Sequence, residues 1–188
     1  NKEEIIKALR FAKKNKLPFF ILGGGSNTLI SDEEFKGIVI KIQNSKFKIQ
    51  NSKIITEAGV MLGKLVNTSL EKGLTGLEWA IGIPGTVGGT IYGNAGAFGK
   101  SIGDIVKSVE VFDLDNEEIK ILKNKDCDFK YRESIFKKKK KLIILSAILK
   151  LKKENKEKIK KKINKYLNYR QKTQPLNFPS LGSIFKNY

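Results

Sequence analysis

The 188-residue chain contains no histidine and a single cysteine, Cys127, together with one tryptophan, one methionine and four prolines. Without imidazole there is no side chain that ordinarily titrates near neutrality. A Ser-His-Asp relay, a His-ligated zinc and histidine acid/base chemistry are therefore all excluded. One cysteine rules out an internal disulfide and a thiolate metal cage, so no metal is expected. Long apolar runs are missing as well. The stretch Leu142 to Leu149 beside the basic region has eight residues, far short of the ~20 that a spanning helix needs, and no membrane partner is expected. The chain starts at Asn1 without a methionine or a signal-like apolar segment; it reads as cytoplasmic and as a piece of a longer protein. Any protonic chemistry must come from Ser, Tyr, Lys, Arg or carboxylates.

Positive charge is abundant, with a formal net charge of +18. Its distribution decides what it means. Residues 137 to 172 hold sixteen Lys and Arg against two acids, Glu154 and Glu157, so this stretch carries +14 of the +18. Only Arg10, Arg132 and Arg170 are arginines, whereas bidentate recognition of bases and phosphates favours Arg over Lys. The basic run is also poor in aromatics, with only Tyr166 and Tyr169 near its end. A lysine-rich nucleic-acid module stays open as an alternative, but the run reads better as a solvated face, with no nucleic-acid partner. Hydrophobic content of 40% is enough for a real core in one large domain or one and a half small ones.

Periodicity predicts a helix over residues 3 to 16, with Ile5, Ile6, Leu9 and Ala12 at helical spacing, ended by Asn15 and Pro18. Strands are predicted at 19–22, 38–42, 54–58, 108–114, 117–123 and 142–151, and helices at 62–71 and 155–170. The last helix carries Ile159, Ile163, Tyr166 and Leu167 on one face and lysines around the rest. Ile42-Gln-Asn-Ser-Lys46 recurs as Ile49-Gln-Asn-Ser-Lys53. Two copies are too few for a solenoid, and a strand-turn-strand hairpin or an insertion remain the two readings. Trp79 and Cys127 read as core or strand residues.

Ten of the 17 glycines fall in two places. The first, Gly23-Gly-Gly-Ser-Asn27, follows an apolar strand. Successive glycine amides can converge on an anion, and the missing side chains let a pyrophosphate approach the backbone. It is neither a G-x-G-x-x-G nor a Walker loop, and taken alone an ordinary turn remains open. The second, Gly82 to Gly99, interleaves seven glycines with Ile83, Val87, Ile91 and Phe98. A flexible linker of that glycine density would be polar. An ordered, apolar glycine loop suggests something flat or anionic packed against backbone, and two such loops suggest a dinucleotide cofactor.

The ordered set Gly23-Gly-Gly-Ser-Asn27, Ile83-Pro-Gly-Thr-Val-Gly-Gly89, Asn94-Ala-Gly-Ala-Phe-Gly99, Tyr131-Arg-Glu-Ser134 and Gly182-Ser-Ile-Phe-Lys-Asn187 resembles the UDP-N-acetylenolpyruvoylglucosamine reductase family over essentially the whole chain. The resemblance implies an α+β, FAD-binding fold of the vanillyl-alcohol-oxidase (PCMH) type with two α+β subdomains. It implies residues 1–60 as the remainder of the first subdomain, 61–172 as the second and 173–188 as the start of a C-terminal substrate-binding domain. The activity implied is NADPH-dependent reduction of UDP-N-acetyl-3-O-(1-carboxyvinyl)-glucosamine to UDP-N-acetylmuramate, a step of peptidoglycan precursor synthesis, by a protein expected to be a cytoplasmic monomer. A non-catalytic FAD-binding remnant is the further alternative.

Site residues are implied in the same way. FAD would be held by Gly23, Gly24, Gly25, Ser26, Asn27, Gly85, Thr86, Gly88, Gly89, Gly93, Asn94, Gly96 and Ala97. Arg132 would be the fixed cation for the substrate carboxylate, since a guanidinium stays charged and presents a planar fork. Ser183 would donate the proton to the carbanionic centre. Tyr131, Gln174 and Asn187 would line the substrate site, and Lys186 would support the loop. Phe98 stands where many relatives carry a tyrosine. The glutamate that completes the family's catalytic trio has no counterpart in these residues.

Overall fold

The computed structural model describes residues 1–175 together with 177, 178, 182, 185 and 186. Helix α1 (Lys2–Lys14) is closed at its start by a capping box, Asn1 accepting from the Glu4 amide while Glu4 takes the Asn1 amino group, and it buries Ile5, Leu9 and Ala12. β1 (Phe19–Leu22) and β2 (Ile38–Lys41) pair in parallel, Phe19 opposite Ile38 and Leu22 opposite Lys41. A parallel pair cannot be joined by a tight turn. Residues 23–37 make the long return, and the first glycine cluster sits at its start.

The remaining elements are β3 (Phe47–Gln50), β4 (Lys53–Glu57), α2 (Leu62–Glu71), β5 (Leu74–Thr75), a 3₁₀ turn at Glu78–Ala80, α3 (Val87–Tyr92), β6 (Gly96–Ala97), β7 (Lys100–Ser101), β8 (Val106–Asp113), β9 (Glu118–Lys123), α4 (Ile135–Lys138), β10 (Leu142–Lys150), β11 (Lys152–Lys153) and α5 (Lys156–Thr173). Strands β3-β4-β10-β8-β9 form an antiparallel sheet in that order. β10 is its centre because Leu142-Ile-Ile-Leu145 and Leu149 can be buried between neighbours, and Ile143, Ile144, Leu145, Ala147 and Leu149 are all buried. The sheet runs across residue 60, since β4 hydrogen-bonds to β10 along Glu57–Ser146 to Lys53–Lys150.

The core joins Phe112, Phe136, Leu65, Ile91 and Leu145, each almost wholly withdrawn from solvent. Truncating a ring such as Phe112 to alanine costs about 3–5 kcal/mol at a site of this kind. α5 buries Ile159 and Ile163 and turns its lysines outward, while Lys137 to Lys141 are all exposed. Much of the dense positive charge is thus the wet side of one helix and its approach.

The duplicated pentapeptide adopts two conformations. Its second copy makes the β3–β4 hairpin, with Asn51 at φ 55 in the turn, and its first copy lies in the connection between β2 and β3. The second glycine cluster is likewise more structured than a loop. Thr86 caps α3 by accepting from the Gly89 amide, and Gly88 and Gly89 lie inside that helix. A Cβ on Gly88 would come within 2.9 Å of the Ala58 Cβ. Glycine costs helix stability, but here it is what lets α3 lie against β4.

Candidate functional site

The fold brings the two glycine clusters into direct contact. A Cβ on Gly23 would lie 2.7 Å from Thr86 Oγ1, one on Gly24 3.2 Å from the Gly85 Cα, and one on Gly85 3.0 Å from Ser26 Oγ. Gly85 and Gly25 adopt φ 117 and 74, conformations that side chains disfavour. The approach of loop 23–26 to residues 85–86 is thus closed to any larger residue at several points. Position 85–86 is fixed from behind: Leu62 N–H donates to the Gly85 carbonyl at 3.0 Å, and Val87 and Gly88 amides donate to Val60 and Ala58 carbonyls at 2.8 Å.

Among the described residues, the amides of Gly23 to Asn27 and those of Gly85 and Thr86 find no protein acceptor. Backbone N–H groups buried away from water are rarely left unpaired, and Gly85 and Thr86 are both buried. Two glycine-rich runs of such amides, brought together with the Ser26 and Thr86 hydroxyls at their junction, are suited to an anion such as a pyrophosphate. These residues fit a dinucleotide's central anion.

The other expected cofactor residues take different places. Asn94 is buried and fully engaged, its Nδ2 donating to the Lys130 carbonyl at 2.8 Å and its Oδ1 accepting from the Gly103 amide at 3.0 Å. Gly96 and Ala97 are β6, and a Cβ on Gly96 would lie 2.3 Å from the Lys100 carbonyl in the hairpin with β7. Gly93 ends α3. Phe98, at φ 53, stacks on Tyr166 of α5 with ring centroids 4.1 Å apart and meets Tyr169 edge-on at 5.5 Å.

Arg132 occupies a tight turn in which Lys130 and Glu133 exchange backbone hydrogen bonds at 3.1 and 3.0 Å. Its φ of 57 is unusual for a non-glycine residue, and such strain is held only where surroundings over-determine it. Two of those constraints are visible. Asn94 holds the Lys130 carbonyl, and Ser134, wholly buried, donates to the Tyr92 carbonyl at 2.6 Å. Lys137 Nζ takes the Arg132 carbonyl at 2.9 Å. The turn is thereby fastened to the end of α3. Ser134 had no role in the sequence reading, although it stands within the Tyr131–Ser134 motif.

The Arg132 guanidinium lies over the Tyr131 ring, 5.2 Å from its centroid. The carboxylates beside it are taken by lysines: Asp128 by Lys138 at 2.5 Å and Lys130 at 3.6 Å, Glu133 by Lys186 at 3.2 Å. Those lysines hold the Asp128 and Glu133 carboxyls below their ordinary values. No ion pair claims Arg132 among the described residues. A depression of about 170 Å³ there is lined by Arg132, Glu133, Ser134, Lys137, Lys138 and Lys186. Four cations around one neutralised acid favour an anionic guest. Lys186 also ties the stretch after α5 to this turn. Ser183 and Asn187 lie outside the described residues. Gln174, exposed at the end of α5, donates its backbone N–H to the Arg170 carbonyl at 2.9 Å and stays away from that depression's lining.

A larger cavity of about 330 Å³, lined by Lys2, Asn44, Phe47, Glu110 and Leu145 among others, includes none of the expected site residues. Burial pushes the Cys127 thiol up to about 11, which leaves it a poor nucleophile at neutral pH. Among the described residues no group of three or more Cys, Asp or Glu could hold a metal ion, and no helix is long and apolar enough to cross a membrane.

Residues 1–122 match the family of FAD binding domains. The chain is 43% identical to the UDP-N-acetylenolpyruvoylglucosamine reductase of Caldanaerobacter subterraneus subsp. tengcongensis over 99% of its own length and 61% of that protein's. It is 44% identical to the reductase of the same name from Thermotoga maritima, over 90% of the chain and 59% of the relative. The crystal structure of UDP-N-acetylenolpyruvylglucosamine reductase (MurB) from Thermus caldophilus superposes with a TM-score of 0.85 at 29% identity, covering 100% of this chain and 66% of the other. The chain thus spans about 60% of the length of the curated relatives it matches.

Proposed function

We propose, proceeding from the fact that this chain belongs to the FAD binding domain family, that it is the flavin-binding part of a UDP-N-acetylenolpyruvoylglucosamine reductase. The observation that carries the reading is the contact between loop 23–26 and residues 85–86, with unpaired amides on both sides. In this reading Gly23, Gly24, Gly25, Ser26, Asn27, Gly85 and Thr86 receive the pyrophosphate of FAD. Gly88 and Gly89 keep α3 close beneath it. Gly93, Asn94, Gly96 and Ala97 shape the wall that leads to the Arg132 turn.

Bound FAD supplies a two-electron carrier, reducible by NADPH, for saturating the double bond of UDP-N-acetyl-3-O-(1-carboxyvinyl)-glucosamine. The chain's own residues handle charge and protons. Arg132, without a carboxylate partner among the described residues and fixed by its turn, binds the substrate carboxylate and stabilises the negative charge that grows there as the double bond is reduced. Lys137, Lys138 and Lys186 keep the surroundings electropositive. Ser183 delivers the proton to the carbon beside the carboxylate, a role open to a weak acid when the acceptor is strongly basic. Tyr131, Asn187 and Gln174 contact the substrate. The product is UDP-N-acetylmuramate for peptidoglycan synthesis, made in the cytoplasm by a monomer.

Within the domain, residues 1 to about 42 belong to the first flavin subdomain. The second begins with β3 rather than after residue 60, because β3 and β4 share a sheet with β8 to β10. Residues beyond α5 begin the substrate-binding part.

The test is an absorption spectrum of the full-length protein under anaerobic conditions. A yellow flavin band should bleach with NADPH and return on adding the enolpyruvyl substrate. A protein that purifies colourless and takes up no FAD overturns the reading.

A further inference from the structure

Arg170, on the last turns of α5, differs from the lysines around it. Its side chain folds inward across the start of the second glycine cluster, where its Cδ would lie 3.2 Å from a Cβ on Gly82. Gly82 has φ 73 and no side chain, and both permit that approach. The guanidinium lies over the Phe98 ring at 5.3 Å from its centroid, and Phe98 is in turn held by Tyr166 and Tyr169. An aromatic stack thus braces the side chain.

What this cation lacks among the described residues is an anionic partner. Its Nε is shut off from solvent and makes no hydrogen bond, and its one bond, from Nη2 to the Trp79 carbonyl, is long at 3.4 Å. Among the described residues no carboxylate pairs with it. The acid nearest in sequence to its contact, Glu78, is committed to Thr75 Oγ1, the Gly76 amide and Lys162. Burial without compensation depresses the basicity of Arg170. A guanidinium carries five donors, and a desolvated, unpaired charge is costly to keep. The Phe98 face and the long bond to Trp79 answer only part of that cost. An arriving anion would answer the rest.

We propose that Arg170 is the cation that receives an anionic group of FAD at the glycine wall, an inference that rests on the flavin reading above. The shared chemistry is an oxygen-rich anion able to accept from a planar fork. It has two possible sources within FAD: the pyrophosphate, or the N1–C2–O2 edge of the ring system, which carries negative charge when the flavin is reduced. Arg170 is a binding and positioning residue for the cofactor and takes no part in proton transfer to substrate.

The experiment compares full-length wild type with Arg170→Met and Arg170→Lys in three measurements: the melting temperature of the FAD-free protein, the affinity for FAD and for ADP, and the midpoint potential of bound flavin. Removing a half-buried charge that has no anionic partner among the described residues should leave the FAD-free Arg170→Met protein at least as stable as wild type. If the pyrophosphate is the partner, FAD and ADP affinities both fall by about tenfold or more while the potential holds. If the ring edge is the partner, affinity for oxidised FAD stays within about twofold and the potential falls by about 30 mV, the two-electron equivalent of tenfold weaker binding of the reduced form. Arg170→Lys keeps the charge and should lose less in either arm. The inference is overturned if Arg170→Met changes neither affinity nor potential, or if lost affinity comes with an equal loss of FAD-free stability, the mark of a structural arginine. A wild type that takes up no FAD would overturn the flavin reading as well, so the two failures are distinct.

Discussion

Gly23→Ala probes the contact on which the proposed cofactor site depends. The backbone at Gly23 lies outside the left-handed region, so alanine is locally allowed there. Its methyl would fall 2.7 Å from Thr86 Oγ1, nearer than real Cβ contacts come. Thr86 can only yield by turning that hydroxyl away from the Gly89 amide, which it caps at 3.3 Å. Overpacking costs about 1–3 kcal/mol, the lost cap about 1 kcal/mol, and the stiffer unfolded chain returns about 0.4–1 kcal/mol. The net destabilisation is about 2 kcal/mol.

Thr86→Ala alone should cost about 1 kcal/mol. It also removes the clash, because the next Thr86 atom, its Cβ, stands 3.8 Å from the added methyl. The double variant should therefore match Thr86→Ala alone, giving a coupling of about 2 kcal/mol. Urea unfolding of the FAD-free protein, followed by intrinsic fluorescence to which buried Trp79 contributes, measures all four corners of the cycle. If the two single costs simply add, the loops are not in contact and the cradle does not exist as described.

Other outcomes follow from single groups. Ser134→Ala leaves the Tyr92 carbonyl without its buried donor and should cost about 1–2 kcal/mol, with turnover falling further than stability because the Arg132 turn loses its tie; chemical denaturation and steady-state kinetics read the two. Arg132→Lys keeps a charge but not the fork and should raise KM and lower kcat together, whereas unchanged kinetics would remove Arg132 from the site. Asp113, hydrogen-bonded by Lys120 and Asn116, titrates at about 2 against an ordinary 3.8. Its folded value is depressed, so the stability it contributes is full above about pH 4 and lost as pH falls through about 2; Asp113→Asn should flatten acid unfolding in that window. Cys127, buried with its thiol at about 11, should resist thiol reagents at neutral pH and react fully once the protein is unfolded.

Elements with a clean period were legible in the sequence. Ile5, Leu9 and Ala12 announce α1, and Ile159 and Ile163 announce α5, because a single buried face leaves its spacing in the chain. α3 was not legible. Two of its six residues are glycines, and its stability comes from the Thr86 cap and from packing on Ala58, neither of which shows in local propensity. The duplicated pentapeptide makes the same point: identical residues form a hairpin at 49–53 and a connection at 42–46, so their neighbours decide.

At the site, the motifs named the glycine loops and Arg132, but not how they are joined. Asn94 holds the Arg132 turn through the Lys130 carbonyl, and Ser134 fastens it to α3. Both links cross 36 residues or more of chain. Arg170 was hidden by composition. Within sixteen cations, nothing in the sequence marks the one that points inward.

The central claim is that FAD lies with its pyrophosphate between the two glycine loops, and backbone amide NMR of the labelled full-length protein on adding FAD tests it most directly. The account predicts the largest shifts at the amides of Gly23, Gly24, Gly25, Ser26, Asn27, Gly85 and Thr86, in the direction expected for new hydrogen bonds to an anion. FAD bound with these amides unmoved and the strongest changes elsewhere would contradict it.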